Sequence, residues 1–408
     1  GGPGGGGPDG PGGGGPDAAW TASDLCLVAH AYAHALDGAA DRPLFEALRD
    51  ALGDLALLRL SPGELCSLAN SFGKLSQASQ LGHVGLFDRL GRHLARDPAA
   101  AGLRGACVAL SAFAQASVRH EPLCASLESR LPGWLHSAEC DMRQLAMLAH
   151  AHVRVGLTTS SLLPLIWDRA RRAAAQSDAQ GVAIVIHAVT KASAVGGGTG
   201  GEALLAALCG RLRELLRRPG AVEPATLAVA AYALARGGCA GIVGGEVWGA
   251  LASRAAEGVG AVSITEAANL ATAFATAARE SPEASVFAQE VESFFAALSA
   301  HVAAALQRPR HSAAEGAGAG KAPHAAPLVP PLAAAKLAAA FGDARCVDAA
   351  DIVRQLAYRC LMPGRDRLGV GPLRGVAASL ARLRVHDEDL LQALTAAQRR
   401  IPMRRRGC

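Results

Sequence analysis

Apolar residues recur at spacings of three and four along most of the chain. One block of about ten residues occurs in nine copies. Clear copies read LCSLANSFGK (65–74), ACVALSAFAQ (106–115) and AANLATAFAT (267–276). A large residue, here called the anchor, fills one fixed position of each copy: Tyr32, Phe72, Phe113, His152, Val189, Leu234, Phe274, Phe341 and Leu383. Successive anchors lie 37 to 45 residues apart, except for 67 residues before Phe341. The spacing indicates amphipathic helices, and the period indicates stacked helical repeats.

Two further positions support this register. Six residues before the anchor the residue is always small: Cys26, Cys66, Cys107, Ala146, Ala183, Ala228, Ala268, Ala335 and Ala377. Small side chains let neighbouring helices approach closely, so we interpret the three cysteines as buried packing residues. Eleven residues before the anchor, five copies carry a residue suited to a helix start: Thr21, Ser61, Asp141, Asp178 and Ser263. Ser61 with Glu64, and Ser263 with Glu266, have the spacing of capping boxes.

Each block therefore predicts the first helix of a repeat, the A helix. A second amphipathic helix, the B helix, is predicted to follow, as at Pro43, Leu86, Leu162, Leu204 and Val286. The predicted fold is all-α, an α-solenoid (superhelix) of about nine stacked helix-turn-helix repeats of roughly 40 residues. Repeats one to seven are expected at 19–307 and repeats eight and nine at 332–400. The Gly/Pro-rich segments 1–18 and 308–331 are expected to be disordered, 196–201 to form a short loop, and 401–408 a basic tail.

Composition narrows the class of partner. The chain has 408 residues, a formal net charge of +5 and only four lysines, so its basic charge is almost all arginine. This balance permits an anionic partner, although codon bias in a GC-rich genome is an alternative explanation. None of the 10 cysteines forms a C-x-x-C pair, which favours a reducing compartment. The chain begins with Gly and is expected to be a fragment, so a targeting peptide would not be visible. No apolar run is long enough to predict a membrane span.

The main functional candidate is a set of polar residues, here called the polar strip, on one face of the A helices. Two residues before the anchor stand His30, Asn70, Ser111, His150, His187, Tyr232 and Thr272. Two residues after it stand His34, Lys74, Gln115, Arg154, Lys191, Arg236 and Thr276. The two positions are four residues apart, so they share a helix face.

The strip contains no carboxylate, whereas a merely solvated face should carry both signs of charge. Hydrogen-bonding and basic side chains in this arrangement suit the reading of unstacked RNA bases and the neutralisation of phosphates. Plain solvation of a polar face is the alternative. The last two copies carry Ala339 with Asp343 and Ala381 with Val385, so the strip is expected to end near the seventh repeat.

Other candidates are weaker. Arginines of the B helices could contact phosphates or simply lie in solvent: Arg169, Arg171, Arg172, Arg211, Arg213, Arg217 and Arg218. The same alternatives hold for the terminal Arg399, Arg400, Arg404, Arg405 and Arg406. His30 and His34 have no further ligands in the sequence pattern, and a zinc site needs three or four. With no phosphate cradle and no nucleophile motif, the sequence predicts a protein without catalytic residues, metal or cofactor.

The blocks at 65–74, 106–115 and 267–276 resemble the organellar helical-repeat RNA-binding proteins. These include the leucine-rich region of FAST-kinase-like proteins, octotricopeptide and RAP-associated repeats, and helical-repeat subunits of the RNA-editing substrate-binding complex. The resemblance spans most of residues 21–400.

This resemblance implies a non-catalytic RNA-binding protein of the mitochondrial matrix, or of a plastid, acting in RNA processing, stability, editing or ribosome assembly. The implied partners are single-stranded RNA and other subunits of an organellar ribonucleoprotein, with no membrane or DNA partner. Many relatives carry a RAP domain after the repeats, but no such motif follows the ninth copy. The alternative is a protein-interaction scaffold of armadillo or HEAT style, since a concave helical surface can also bind peptides.

Overall fold

A computed structural model describes residues 20–35, 42–79, 83–137, 140–157, 160–196, 201–307, 329–363 and 368–400. Within these ranges the chain is helical and contains no strand, which confirms the all-α prediction. The segments 1–18 and 401–408, and the expected linker up to 328, lie outside the described residues. The chain divides into two compact units, Gly1–Arg130 and Leu131–Cys408, and the division falls within one helix.

Apart from the four-residue helix Asp54–Leu57, the helices of the first unit alternate between A and B. They are α1 (Ala22–Ala35), α2 (Arg42–Ala51), α3 (Asp54–Leu57), α4 (Pro62–Ser79), α5 (Val84–Arg96), α6 (Pro98–Gln115) and α7 (Glu121–Leu135), the last of which crosses the division. The A helices are α1, α4 and α6, and they carry the first three anchors. Helix α4 packs against both α1 and α6.

The second unit continues the same alternation. Its helices are α8 (Met142–Arg154), α9 (Leu162–Ala173), α10 (Ala179–Gly196), α11 (Gly201–Leu216), α12 (Pro224–Arg236), α13 (Gly245–Gly258), α14 (Ile264–Glu280), α15 (Ala288–Gln307), α16 (Pro331–Asp343), α17 (Ala350–Leu356), α18 (Val370–Arg382) and α19 (Glu388–Arg400). A π-helical turn, Ala357–Leu361, extends α17. The A helices α8, α10, α12, α14, α16 and α18 pack in that order, each against the next. Of the B helices, α9, α11, α13, α15 and α17 also pack each against the next.

Helix starts follow the predicted chemistry. The backbone N–H of Glu64 donates to Ser61 Oγ at 3.3 Å, and the Glu64 carboxylate accepts the Ser61 N–H at 2.8 Å. The same reciprocal box joins Ser263 to Glu266, and a third joins Asp141 to Gln144. Thr21 and Asp178 likewise accept an N–H from three residues on. All five predicted start residues therefore cap their helices, satisfying N–H groups that have no partner within the helix.

The anchors form the core between the A and B helices. All are buried except Tyr32, whose side chain is 43% exposed. Among the described helices, α1 packs against only one other A helix, so its face is less completely covered than that of α4. In the first unit, the buried rings of Phe45 and Phe72 meet edge to face, with their centres 5.3 Å apart. The rings of Phe87 and Phe113 do the same, with their centres 4.9 Å apart. These contacts tie the A helices to their neighbouring B helices.

Small residues bring successive A helices together, as predicted. Every residue six positions before the anchor is buried except Ala377, which is half-buried. Burial raises the pKa of the Cys26 and Cys66 thiols to about 11, in keeping with packing rather than nucleophilic roles. All nine cysteines in the described ranges are free thiols.

Glycine marks the closest approaches between A helices. A methyl group at Gly237 would lie 2.5 Å from the Thr190 side chain, and one at Gly342 would overlap Ser379. A larger side chain there would push α12 away from α10, or α18 away from α16.

The ends of two predicted loops differ from the sequence expectation. Gly196 and Gly201 belong to α10 and α11, and the four residues between them lie outside the described ranges. Val329 is 1% exposed and α16 begins at Pro331, so the end of the expected linker is packed against the helices. Across the described residues, every helix is too short or too polar to span a bilayer.

Candidate nucleic-acid interface

Polar side chains of the strip lie side by side on α1 and α4 in the first unit. The His30 ring lies 4.4 Å from that of His34, and Ser67 Oγ lies 3.2 Å from His30 Nδ1. Lys74 Nζ lies 3.1 Å from His34 Nε2, and the Lys74 charge lowers the pKa of His34. His30 and His34 are exposed, while Lys74 is half-buried.

The remaining strip residues of this unit are Asn70 on α4 and Ser111 and Gln115 on α6, all half-buried. Gln115 Oε1 lies over Gly73, where an added methyl group would be 3.1 Å from it. The predicted surface therefore runs over three adjacent A helices in this unit.

Three planar side chains form a row on consecutive A helices of the second unit. His150 on α8, His187 on α10 and Tyr232 on α12 occupy the same position, two residues before the anchor. The rings of His150 and His187 are 5.6 Å apart with an interplanar angle of 38°. All three side chains are half-buried, and we call them the ring row. Such rings offer faces on which unstacked bases can lie.

Two of the three side chains in the ring row, His150 and His187, are neutral imidazoles. Burial, reinforced by the neighbouring His187 and then by Arg154 and Lys191, lowers the pKa of His150 to about 4. Burial, followed by the charges of Lys191 and Arg154, also lowers the pKa of His187. Both rings are therefore uncharged near neutral pH.

Three cations flank the ring row one helical turn away. Arg154, Lys191 and Arg236 follow the three rings at a spacing of four residues, and we call them the cation row. In the described part of the chain, neither Lys191 nor Arg236 forms an ion pair with a carboxylate. A groove of about 290 Å³ lies between α10 and α12. Its lining residues are His187, Thr190, Lys191, Tyr232, Ala233, Arg236 and Gly237. The groove therefore places two planar rings beside two cations that have no carboxylate partner among the described residues.

The strip weakens beyond α12. Thr272 on α14 donates its hydroxyl proton to Ala268 O of its own helix at 2.8 Å, and Thr276 is half-buried. On α16 the equivalent position is Asp343, which forms ion pairs with Arg279 of α14 and Arg382 of α18. The expected end of the strip thus coincides with a carboxylate held between two arginines.

Two polar residues on this face escaped the sequence analysis. Asn269 on α14 and Lys336 on α16 lie five residues before their anchors. Lys336 Nζ donates to Asn269 Oδ1 at 2.7 Å and to the Tyr232 hydroxyl at 3.2 Å. Other repeats mostly carry apolar residues there, such as Val108 and Val229, so no polar pattern marks the position. The spacing of three from the ring row was the available signal, since residues three apart share a helix face.

Arginines of the B helices serve mainly as structural groups. Arg169 donates to Ser137 O at 3.3 Å, Arg211 to Ser177 O at 3.0 Å and Arg254 to Leu216 O at 3.2 Å. Each accepting carbonyl lies at or just beyond the C-terminal end of the preceding B helix, where carbonyl groups lack partners within the helix.

Most other arginines of this set are paired with carboxylates. Arg171 and Arg172 bind Asp168, and Arg213 binds Glu246. Arg217 and Arg218 remain exposed. The B-helix arginines were expected either to contact phosphates or to lie in solvent. Their contacts favour a packing role over phosphate binding, except at Arg217 and Arg218.

Within the described ranges, no group of three or more His, Cys, Asp or Glu side chains is placed to hold a metal ion. No protein-family model matches the chain, and no curated protein matches it.

Proposed function

We propose that the chain is a non-catalytic α-solenoid that binds single-stranded RNA along its A helices. The observation that carries this proposal is the ring row of the second unit with the cation row beside it. Neutral rings would stack on bases, and cations one turn away would neutralise the phosphates that join them. The same polar strip on α1, α4 and α6 adds Lys74 to the candidate phosphate contacts.

The resemblance to organellar helical-repeat proteins supports a role in mitochondrial or plastid RNA processing, stability, editing or ribosome assembly. In this proposal the protein acts by holding an RNA segment, alone or with other subunits of a ribonucleoprotein.

Replacing the cations of the strip tests the proposal. The variant Lys74→Gln, Arg154→Gln, Lys191→Gln, Arg236→Gln is compared with the natural chain for binding to a fluorescent single-stranded RNA across a salt series. We expect binding by the natural chain to weaken steeply as salt is added. The slope of the logarithm of the binding constant against the logarithm of the salt concentration should become shallower by about 0.7 for each phosphate contact removed.

The matched control changes four exposed arginines outside the A helices, Arg59, Arg92, Arg130 and Arg354, to Gln. It removes the same charge, so a general electrostatic effect would lower the slope equally in both variants. Equal slopes, or no salt-dependent binding by the natural chain, would contradict the proposal.

A protein-interaction scaffold is the second candidate. It is favoured by apolar exposure on and beside α1, where Trp20 is 69% exposed, Leu27 67% and Tyr32 43%. An apolar surface of this kind suits a protein partner better than a polyanion. Under this alternative, RNA affinity is negligible and the fourfold Gln variant binds its protein partner as the natural chain does.

A further inference from the structure

Three side chains from three consecutive A helices form a polar cluster beside the ring row. Tyr232 lies on α12, Asn269 on α14 and Lys336 on α16, and all three are half-buried. Lys336 bonds to both partners, and its Nζ lies 4.6 Å from the centre of the Tyr232 ring. We call these three residues the donor cluster.

The hydrogen bonds of Lys336 fix which groups remain for a ligand. An ammonium group only donates, so Asn269 must accept through Oδ1, and its two amide N–H groups remain available. Tyr232 accepts through its hydroxyl oxygen, so its own O–H is directed elsewhere. Lys336 keeps a third N–H. No further partner among the described residues uses these groups, so the cluster presents mainly donors: one ammonium N–H, two amide N–H groups and one phenol O–H, beside the second lone pairs of Asn269 Oδ1 and of the Tyr232 hydroxyl oxygen.

The position of the cluster indicates which part of a nucleotide would meet it. The cation row lies four residues after the ring row along each A helix, whereas Asn269 and Lys336 lie at the position three residues before it. The rings therefore lie between the cations and the donors on this helix face. With phosphates on the cation row and bases on the rings, the outer edges of the bases point toward the donor cluster.

We infer that Tyr232, Asn269 and Lys336 select bases with a keto oxygen, uracil or guanine, over bases with an amino group at that edge. This inference rests on the proposed function, because it assumes that single-stranded RNA lies along the strip. Uracil carries an oxygen acceptor where cytosine carries an amino donor, and guanine and adenine differ in the same way. An amino group facing this cluster leaves most of its donors without an acceptor, and unpaired donors out of water are costly.

Oligouridine and oligocytidine of equal length test the inference, since their bases differ in the group at C4 and in the proton on the adjacent N3. Their affinities for the full chain are measured at one salt concentration, and oligoguanosine interrupted by abasic spacers is compared with the adenosine equivalent. We expect the natural chain to prefer uridine by about tenfold, in line with the discrimination that well-placed base contacts give.

Two conservative variants reduce that preference without removing the surface. Tyr232→Phe keeps the ring and deletes one donor, and Asn269→Asp keeps an acceptor for Lys336 while replacing the amide donors. Both should bring the affinity ratio of uridine to cytidine toward one. The control Lys191→Gln should weaken binding to both oligonucleotides and leave their ratio unchanged, because Lys191 belongs to the cation row.

The outcomes separate this inference from the proposed function. Salt-dependent binding of both oligonucleotides with equal affinity would overturn the base selection and leave RNA binding in place. A phosphate in the donor cluster would give that result, with the variants weakening both oligonucleotides alike. Absence of binding to either would overturn both.

Discussion

His150 and His187 lie half-buried on adjacent A helices, with Arg154 and Lys191 beside them. Water is partly excluded and the neighbouring charges are positive, so protonation of either ring is unfavourable. The pair can therefore present flat, neutral faces in a surface that is otherwise basic. This places stacking and charge on different side chains of the same strip.

At the residue scale, the lowered pKa of His150 makes stability depend on pH. The pKa is about 4 in the folded chain and near 6.5 when unfolded. Between these values the unfolded chain binds a proton that the folded chain does not, so the free energy of unfolding falls as the pH falls. Between pH 6.5 and 4, the free energy of unfolding of His150→Asn should therefore fall by on the order of 2 kcal/mol less than that of the natural chain.

Thermal unfolding of both proteins across this pH range measures the difference. His136→Asn replaces an exposed imidazole and controls for losing a histidine elsewhere. Parallel pH profiles for the natural chain and His150→Asn would contradict the expected burial of the imidazole.

At the element scale, arginines link successive B helices of the second unit. Arg211 of α11 donates to Ser177 O just beyond α9 and also pairs with Glu214, while its side chain is only 13% exposed. A cation at a helix C-terminus also opposes the partial negative charge of the free carbonyls. The guanidinium therefore bridges two B helices and is largely withdrawn from any ligand.

We expect Arg211→Met to lower the free energy of unfolding by about 1 to 3 kcal/mol, because a carbonyl loses a charged donor. The salt dependence of RNA binding should not change. Arg218→Met, on an exposed residue of the turn after α11, is the control and should change stability little. Chemical denaturation and the RNA salt series give both readouts. A reduced salt slope with unchanged stability would instead make Arg211 a phosphate contact.

The sequence predicted the helices better than their mutual contacts. Periodicity and capping residues such as Ser61 and Ser263 act within one helix, so their consequences can be read locally. The bond from Arg211 to Ser177 joins residues 34 apart in different helices, and it depends on how α11 packs against α9. The same applies to Lys336, which meets Tyr232 only because α14 and α16 pack next in order.

The strip itself was predictable for the same reason that the helices were. Equivalent positions on repeated A helices must share a face, so a series such as His150, His187 and Tyr232 could be extracted from the period alone. The electrostatics of the strip could not be predicted, because the lowered pKa of His150 arises from burial, then from His187 on the next helix, and then from the charges of Arg154 and Lys191. Asn269 and Lys336 of the donor cluster were missed because their position is apolar in most repeats, so the repeat pattern does not mark it as polar.

At the scale of the whole molecule, the modest net charge of +5 is unevenly distributed. In the second unit, arginines of the B helices meet carboxylates such as Asp168 and Glu246, while Lys191 and Arg236 on the A helices do not. The excess of positive charge therefore falls on the A helices. Asp343 interrupts it, since this carboxylate binds Arg279 and Arg382 where the strip ends.

Replacing Asp343 should extend the basic surface by one contact. Arg279 keeps its ion pair with Glu280, whereas Arg382 has no other carboxylate partner among the described residues. We therefore expect Asp343→Ala to steepen the salt dependence of RNA binding by about 0.7, the value for one additional phosphate contact. Asp351→Ala removes the same charge from α17, where Asp351 pairs with Arg354, and is the matched control. If the two variants show the same slope, the ends of α16 and α18 lie off the path of the RNA, and the strip closes at α14.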